Sequence, residues 1–432
     1  MTLREAEDYL LDLELFGMRF GLDRMHKLMT ALGMPQRRFA SIHVVGTNGK
    51  SSTTRMIAAI LDRHGVRTGT YTSPHLRSFA ERIEVGEQPL RGEDFGAAVA
   101  AVARAARMVD RTLDEDDRVT QFEALTAAAY HELARRGVEV AVVEAGLGGR
   151  YDATNVIPSK VQVLTGVGLE HTRWLGPTVA DIADEKLAVV RDHGVLVAPP
   201  GLDPSVEEVL ARVVAARHAR VIRAEPAAPH PAAASPPAAA SFPAAASPPA
   251  PLGGFQRGNF ALARAAAEAF LGQLDEDAVA RAAAEVQVPG RLQVVAERPL
   301  TILDGAHNPS GMRALVEALP EVAGERRPRV ALVAVLDDKD AGAMLGELAR
   351  GELDRVVFTR SANPRSLSPA TLMSLWGQLG GAPAEAAADP RAGLAHAREI
   401  AGDGGAVLAT GSIYLIADLV REEATAGRVS AL

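Results

Sequence analysis

No cysteine occurs in the 432 residues, which excludes disulfides and thiolate chemistry and leaves cysteine usage silent about the compartment. Apolar runs long enough to cross a bilayer are also absent, although hydrophobic residues make up 47% of the chain, so no membrane partner is expected. Positive charge is not in excess. The net charge of -8 argues against nucleic acid as the main partner. The acidic start, Met-Thr-Leu-Arg-Glu-Ala-Glu-Asp, runs into an amphipathic helix carrying Leu10, Leu13, Leu15 and Phe16, which is unlike a secretory signal, and a cytoplasmic protein is expected. No internal repeat is visible, and the wealth of Ala and Arg reads as composition bias. What remains is the composition of a soluble globular enzyme, too long for one ordinary core, so two domains are expected.

The chain is organised around His43-Val-Val-Gly-Thr-Asn-Gly-Lys-Ser-Ser-Thr-Thr54. An apolar run enters this stretch, two glycines punctuate it, and a segment with helical spacing (Met56, Ile57, Ile60, Leu61) leaves it. That is the pattern of a phosphate-binding loop: backbone N–H groups at the helix start face an anion and Lys50 adds a full positive charge. ATP or GTP is the natural occupant. The usual nucleotide-loop spacing also asks for a glycine where Val44 stands, so an ordinary Gly-Lys turn is the competing reading.

Strands alternate with helices on either side. Ser41 to Val45, Thr68 to Tyr71, Val138 to Val143 and Val161 to Val167 read as strands, Arg82 to Val85 as a hairpin edge, and Asp94 to Asp110 and Phe122 to Arg136 as helices. The alternation predicts an α/β fold with a mostly parallel sheet covered on both faces, whose ligands collect beyond the carboxyl ends of the strands. The phosphate loop, Ser73, Glu144 and His171 all fall at such ends. Residues 224–251 are almost pure Ala, Pro and Ser and read as an exposed, poorly ordered insertion whose shortening is expected to leave activity largely intact. Pro289-Gly290-Arg291 reads as a hinge. Strands near Thr301 to Leu303, Val330 to Val335, Val356 to Phe358 and Val407 to Ala409 then announce a smaller α/β domain, giving expected domains 1–291 and 292–432.

A carboxylate and a hydroxyl, Glu144 and Ser73, suit Mg²⁺. His171 is a less usual ligand for a hard cation, so Mn²⁺, an imidazole one step removed from the ion, and a loop histidine without a ligand role all stay open. Glu144 itself reads equally as an ordinary strand-end carboxylate. Glu144-Ala-Gly-Leu-Gly-Gly-Arg-Tyr-Asp-Ala-Thr-Asn155 has a backbone open enough to lie against a ligand, or to make a plain glycine turn. Asp184-Glu185-Lys186 defaults to a solvated helix face. Asp304 and His307 occupy a strand-to-helix turn in which Asn308 caps a helix with Pro309 in its first turn.

In this order and register, Gly46 to Ser52, Thr72-Ser-Pro-His-Leu76, Thr120-Gln-Phe-Glu123, Glu144 to Asn155, Leu169-Glu-His-Thr172 with Glu185-Lys186, Pro289 to Leu292, Asp304 to Pro309 and Gly411-Ser-Ile-Tyr414 resemble the folylpolyglutamate synthase and dihydrofolate synthase family of the Mur ligase superfamily. The resemblance spans nearly the whole chain, and the short phosphate loop with Val44 is normal in that family. It implies that Asn48, Gly49, Lys50, Ser51 and Ser52 hold ATP phosphates, that Ser73, Glu144 and His171 bind Mg²⁺, and that Lys186 becomes a carbamate able to help bind a second ion. Asn259, Arg291 and Asp304 would contact ATP, with Lys50, Lys186, Arg291 and His307 in the catalytic set and Ser412 nearby. Thr120, Gln121, Phe122, Glu123, Tyr151, Asp152 and Ala153 would receive the pterin.

The implied enzyme is a monomeric ATP-dependent ligase that joins L-glutamate to dihydropteroate or a reduced folate through an acyl phosphate, with closing domains excluding water from that intermediate. A Mur-type ligase for UDP-sugar peptides is the alternative within the superfamily, and a P-loop NTPase or ATP-binding regulatory protein the alternative outside it. The chain departs from the family pattern at Ser51, where glycine is usual, at Glu170, where aspartate is usual, and at Leu187-Ala188, where Ala-Gly is usual.

Overall fold

The structure, a computed structural model, describes residues 1–13, 20–225 and 253–421. Leu15, Phe16 and nearly all of the Ala/Pro insertion lie outside them. The described residues form two compact units: residues 1–13 and 20–225 with Gly258–Ala283, and residues 253–257 with 284–421.

The first unit begins with α1 (Leu3–Leu13) and α2 (Asp23–Ala31) and continues through β1 (Ala40–Val45), α3 (Lys50–Arg63), β2 (Thr68–Tyr71), β3 (Ile83–Val85), β4 (Gln88–Pro89), α4 (Gly92–Asp110), α5 (Gln121–Arg135), β5 (Val140–Glu144), β6 (Val161–Leu164), α6 (Thr172–Leu175), α7 (Val179–Leu187), β7 (Val195–Ala198), α8 (Pro204–Arg217) and β8 (Arg220–Arg223). Two helices, α9 (Phe255–Leu271) and α10 (Glu276–Glu285), follow the insertion. The eight strands run in the order β4-β3-β2-β5-β1-β6-β7-β8, parallel except for the hairpin edge of β3 and β4. The hairpin edge is therefore as expected, whereas β7 and β8 extend the sheet beyond the strands read from the sequence.

Burial explains the composition of the central strands. Every residue of β5, and all of β1 after Ala40, is buried, because helices cover both faces. Fully burying side chains such as Ile42, Val44 and Val142 contributes about 1.5–3 kcal/mol each. Helix starts follow local chemistry. Thr120 and Glu123 cap α5 reciprocally, and Thr178 and Asp181 do the same for α7.

The second unit is a six-stranded sheet, ordered β13-β12-β11-β14-β10-β9, built from β9 (Gln293–Glu297), β10 (Leu300–Leu303), α11 (Pro309–Ala323), β11 (Arg329–Val333), α12 (Ala341–Leu348), β12 (Arg355–Phe358), α13 (Pro369–Gln378), β13 (Ala384–Ala386), α14 (Pro390–Ala401), β14 (Ala406–Thr410) and α15 (Ile413–Val420). Only β9 is antiparallel to its neighbour. The two edge strands β9 and β13 have no strong apolar run and were not legible as strands. Asn308 caps α11 through Gly311 N at 2.7 Å, with Pro309 at the first helical position, as the turn chemistry requires.

Candidate active site

Four neighbouring parallel strands, β2, β5, β1 and β6, bring their carboxyl ends to one edge of the first sheet. The register sets Val44 of β1 beside Glu144 of β5, and Tyr71 of β2 beside Val143. The residues that follow each strand therefore meet: Thr72-Ser73 after β2, Glu144 at the end of β5, the Gly46 to Lys50 loop after β1 and Thr165 to His171 after β6.

The loop after β1 is held by its neighbour. Thr47 N donates to Gly166 O at 2.9 Å, and Thr165 Oγ1 donates to Asn48 O at 2.6 Å. Gly49 ends the loop in the left-handed region (φ 84°) and opens α3; a β-carbon there would lie 2.4 Å from Asn259 Oδ1, so α9 sets Asn259 directly against the loop. Ser52, the third residue of α3, is buried in its first turn. Lys50 Nζ donates to Gly46 O and Thr47 O at 3.0 and 3.1 Å.

Glu144, 2% exposed, is oriented at both oxygens: Oε1 accepts from Ser51 Oγ at 3.0 Å and Oε2 from Ser73 N at 3.0 Å. Ser51 Oγ also reaches Ser73 O at 3.3 Å. The serine that departs from the family pattern thus ties the loop to both Ser73 and Glu144.

Lys186 is not on a solvated face. It is 2% exposed, with Nζ donating to Gly46 O at 2.8 Å and to Glu170 Oε1 at 3.0 Å. Burial, reinforced by the nearby Lys50 charge and partly opposed by Glu170, pushes its pKa down to about 8. Burial works to raise Glu170, but Lys186, Lys50 and His171 outweigh it and hold that carboxyl below its ordinary value. His171 therefore sits within electrostatic reach of the cluster, at the exposed left-handed start of α6 (φ 47°). The other two charges of the triplet, Asp184 and Glu185, pair with Arg150 of the glycine loop at 2.6 and 2.8 Å.

The glycine loop packs on α7. A β-carbon on Gly149 would lie 2.8 Å from both Glu185 O and Lys186 O, and Arg150 N donates to Glu185 O at 3.0 Å. Asp152 is buried and closes the loop on itself, accepting from Leu147 N at 2.7 Å and Thr154 N at 3.0 Å. Phe122 lies under Gly146, whose β-carbon would meet its ring at 2.5 Å, and Ala153 is buried. Tyr151 is 49% exposed and stands edge-on to Phe20, which also faces the half-exposed Trp174.

Thr120, Gln121 and Glu123 spend their polar atoms inside the fold. Glu123 accepts from Thr120 N at 2.8 Å and from Arg24 Nε at 3.1 Å, and Gln121 Nε2 donates to Leu10 O at 2.9 Å. Arg24, which also pairs with Asp117 at 3.2 Å, had no signal in the sequence. The roles of Thr165 and of the Gly46 carbonyl were equally hidden, because backbone acceptors leave no side-chain signature.

In the second unit, Asp304 follows β10 and is buried. Its two oxygens accept from Leu292 N and Ala306 N, each at 2.8 Å, which ties the Pro289 to Leu292 turn to the Asp304 to Pro309 turn. Burial raises its pKa, against the pull of Arg291. Arg291 Nη1 approaches Gly305 so closely that a β-carbon there would lie 2.5 Å away. His307 Nδ1 meets Gly305 O at 2.9 Å, and Ser412 caps α15 beyond the adjacent strand β14. One strand-end cluster therefore holds Arg291, Asp304, His307 and Ser412.

Residues 44–225 match the Mur ligase middle domain and residues 290–413 the Mur ligase glutamate ligase domain. The dihydrofolate synthase/folylpolyglutamate synthase of Mycobacterium tuberculosis is 35% identical over 374 residues, covering 80% of this chain and 75% of that one. The structure of Mycobacterium tuberculosis folylpolyglutamate synthase complexed with ADP superposes with a TM-score of 0.85 at 32% identity and 99% coverage of both chains. A bifunctional folylpolyglutamate synthase/dihydrofolate synthase with Mn, AMPPNP and L-glutamate bound gives 0.79 at 28% identity and 97% coverage of both. The chain belongs to the folylpolyglutamate synthase/dihydrofolate synthase family of Mur ligases and is an ATP-dependent ligase of folate metabolism.

Proposed function

We propose that this ligase joins L-glutamate to dihydropteroate, to a reduced folyl-(poly)glutamate, or to both, in the cytoplasm and as a monomer. The observation that carries the reading is the convergence on one sheet edge of the Gly46 to Ser52 loop, the Glu144 carboxylate with Ser73, and a buried lysine of lowered pKa.

In this reading Asn48, Gly49, Lys50, Ser51, Ser52 and Asn259 surround the ATP phosphates. Backbone N–H groups at the start of α3 and the Lys50 ammonium supply the positive field. The substrate carboxylate attacks the γ-phosphorus, ADP departs, and an acyl phosphate forms. The glutamate amine then attacks the acyl carbon and gives up a proton as phosphate leaves. Lys50 is assigned to charge that moves from nucleotide to acyl phosphate; in the second unit Arg291 is assigned the same role, Asp304 a contact to the nucleotide and His307 a place in the catalytic set. The pterin is assigned to the Phe122, Tyr151, Asp152 and Ala153 side of the glycine loop. Thr120, Gln121 and Glu123 shape that wall from within, since their polar atoms are already engaged.

A divalent cation suits the donors present. Glu144 and Ser73 offer hard oxygen donors and are joined through Ser73 N at 3.0 Å, and His171 is assigned as a third ligand. Among the described residues no three His, Cys, Asp or Glu side chains form a ready metal cage. Mg²⁺ commonly takes one or two carboxylates and leaves the remaining positions to phosphates and water. Bound there, it would neutralise phosphate charge during transfer. Lys186 is assigned a carbamate. A buried amine with pKa near 8 has an accessible neutral form, and carbamylation would exchange its bond to Glu170 for a new anionic oxygen donor.

The test is whether ADP release requires both dihydropteroate and L-glutamate, with the products resolved for dihydropteroate and for a reduced folate. Coupled release with an amide product is expected from at least one of the two acceptors. Turnover of UDP-sugar peptides, or full ATP hydrolysis with neither substrate, would overturn the proposal.

A further inference from the structure

His43 is the one ionisable side chain of β1, in the middle of the sheet and 0% exposed. A histidine in such a place needs partners, because an unpaired polar group in a dry interior is costly. It has one. Nε2 lies 2.9 Å from Thr154 Oγ1, while Nδ1 has no hydrogen-bond partner among the described residues. Thr154 belongs to the short helical turn Ala153–Val156, and its carbonyl accepts from the buried Tyr130 hydroxyl at 3.0 Å.

The direction of each bond follows by elimination. Each Asp152 oxygen accepts from a backbone donor, Thr154 N on one side and Leu147 N on the other; burial raises this carboxyl's pKa, and these bonds oppose it and favour the ionised, accepting form. The Thr154 hydroxyl gives its single proton to Asp152 Oδ1. Its contact with His43 must then be received, so His43 donates from Nε2 and carries no proton on Nδ1. Burial keeps this ring neutral, with its pKa pushed down to about 3, and the Arg191 charge acts in the same direction.

We propose that His43 is a positioning residue for the folate-side loop: its Nε2–H fixes the Thr154 hydroxyl as a donor to Asp152, and Asp152 in turn holds residues 146–152 in their closed turn. The chain of contacts begins on the strand that leads into the phosphate loop and ends on the loop packed against Lys186. Phosphate and folate sides of the site are thereby built from one rigid element. The inference rests on the assignment of that loop to the pterin.

The experiment compares His43→Gln, His43→Phe, Thr154→Val and Asp152→Asn in the full-length enzyme, measuring KM for dihydropteroate, KM for ATP, kcat and Tm. Glutamine can present an amide N–H near the Nε2 position; phenylalanine fills the space without a donor. His43→Phe and Thr154→Val are expected to raise KM for dihydropteroate about tenfold, the worth of one buried hydrogen bond, with KM for ATP nearly unchanged. The double variant should be no worse than either single one. His43→Gln should stay within about threefold of the parent, on the same reasoning. Nitrogen-15 spectra of the imidazole should show a neutral ring with Nδ1 unprotonated.

If His43→Gln is as impaired as His43→Phe, or if both KM values rise together as Tm falls, the role is packing and the proposal is overturned. If His43→Phe does not fold, Thr154→Val and His43→Gln decide the same question. Asp152→Asn separates the two levels. A raised dihydropteroate KM there with none in Thr154→Val removes His43 alone, whereas no change in Asp152→Asn removes the loop's assignment and the positioning role with it.

Discussion

Lys50 and Lys186 donate to the same oxygen, the carbonyl of Gly46, at 3.0 and 2.8 Å. Burial first, and after it the Lys50 ammonium on the same acceptor, push the pKa of Lys186 down to about 8. Its neutral fraction, and with it the carbamate, should grow as pH rises from about 7 to about 9. Carbon-13 NMR with labelled bicarbonate should show that growth and should show nothing in Lys186→Ala. The same variant is expected to lose at least about tenfold in turnover, as for loss of a metal-supporting group, and to regain part of it with short carboxylates. Unchanged turnover without them would reject the carbamate.

Ser51→Ala removes the hydroxyl that orients Glu144 Oε1. Mn²⁺ binding in the presence of a non-hydrolysable ATP analogue, followed by electron paramagnetic resonance, should weaken about tenfold, the usual cost of losing a group that orients a metal ligand. Affinity for the nucleotide without metal should change much less. Equal losses in both would show that Ser51 serves the phosphate rather than Glu144.

Gly149→Ala forces a methyl group to within 2.8 Å of two backbone carbonyls of α7, neither of which is a flexible side-chain end. The loop must move away, at a cost of about 1–3 kcal/mol. Thermal unfolding should report a lower Tm, and KM for the folate substrate should rise. A fully stable, fully active variant would mean that the contact between this loop and α7 has no role in holding the site.

His43 makes a pH prediction whose sign is determined by its lowered pKa. The unfolded chain takes up a proton near pH 6.5, whereas the folded ring, buried against Thr154 and within reach of the Arg191 charge, resists until about pH 3. The unfolded state therefore binds more protons between these values, and this contribution to stability falls as pH is lowered from about 6.5 towards 3. Urea unfolding at about pH 7.5 and pH 5.5 should show the parent losing more stability than His43→Gln, which has no such group. Parallel losses in the two proteins would place a charged or exposed ring at this position.

The fold was legible where it depends on near neighbours in the chain. The Val-rich β5, the loop between β1 and α3, and Asn308 followed by Pro309 all announce themselves within a few residues, because hydrogen-bond geometry at a turn or cap involves only adjacent positions. Edge strands β9 and β13 did not, since an edge strand is half solvated and carries no continuous apolar run. The site was legible as a set of strand-end residues but not as a set of contacts. Lys186 illustrates the difference: its neighbours Asp184 and Glu185 made the triplet resemble a solvated face, although the helix turns the lysine inward and leaves the two acids to Arg150.

By itself, the order of the motifs determined the α/β class, the phosphate loop, the family and the residues that deserve testing, because each of these is written in spacing and residue type. Only the tertiary structure decided what those residues do to one another. The strand order β2-β5-β1-β6 sets Ser51 against Glu144, Lys186 against the Gly46 carbonyl, and His43 beneath Thr154. Those pairings span distant parts of the chain, and they exist because parallel strands joined by crossovers align their carboxyl ends in an order that no local pattern encodes.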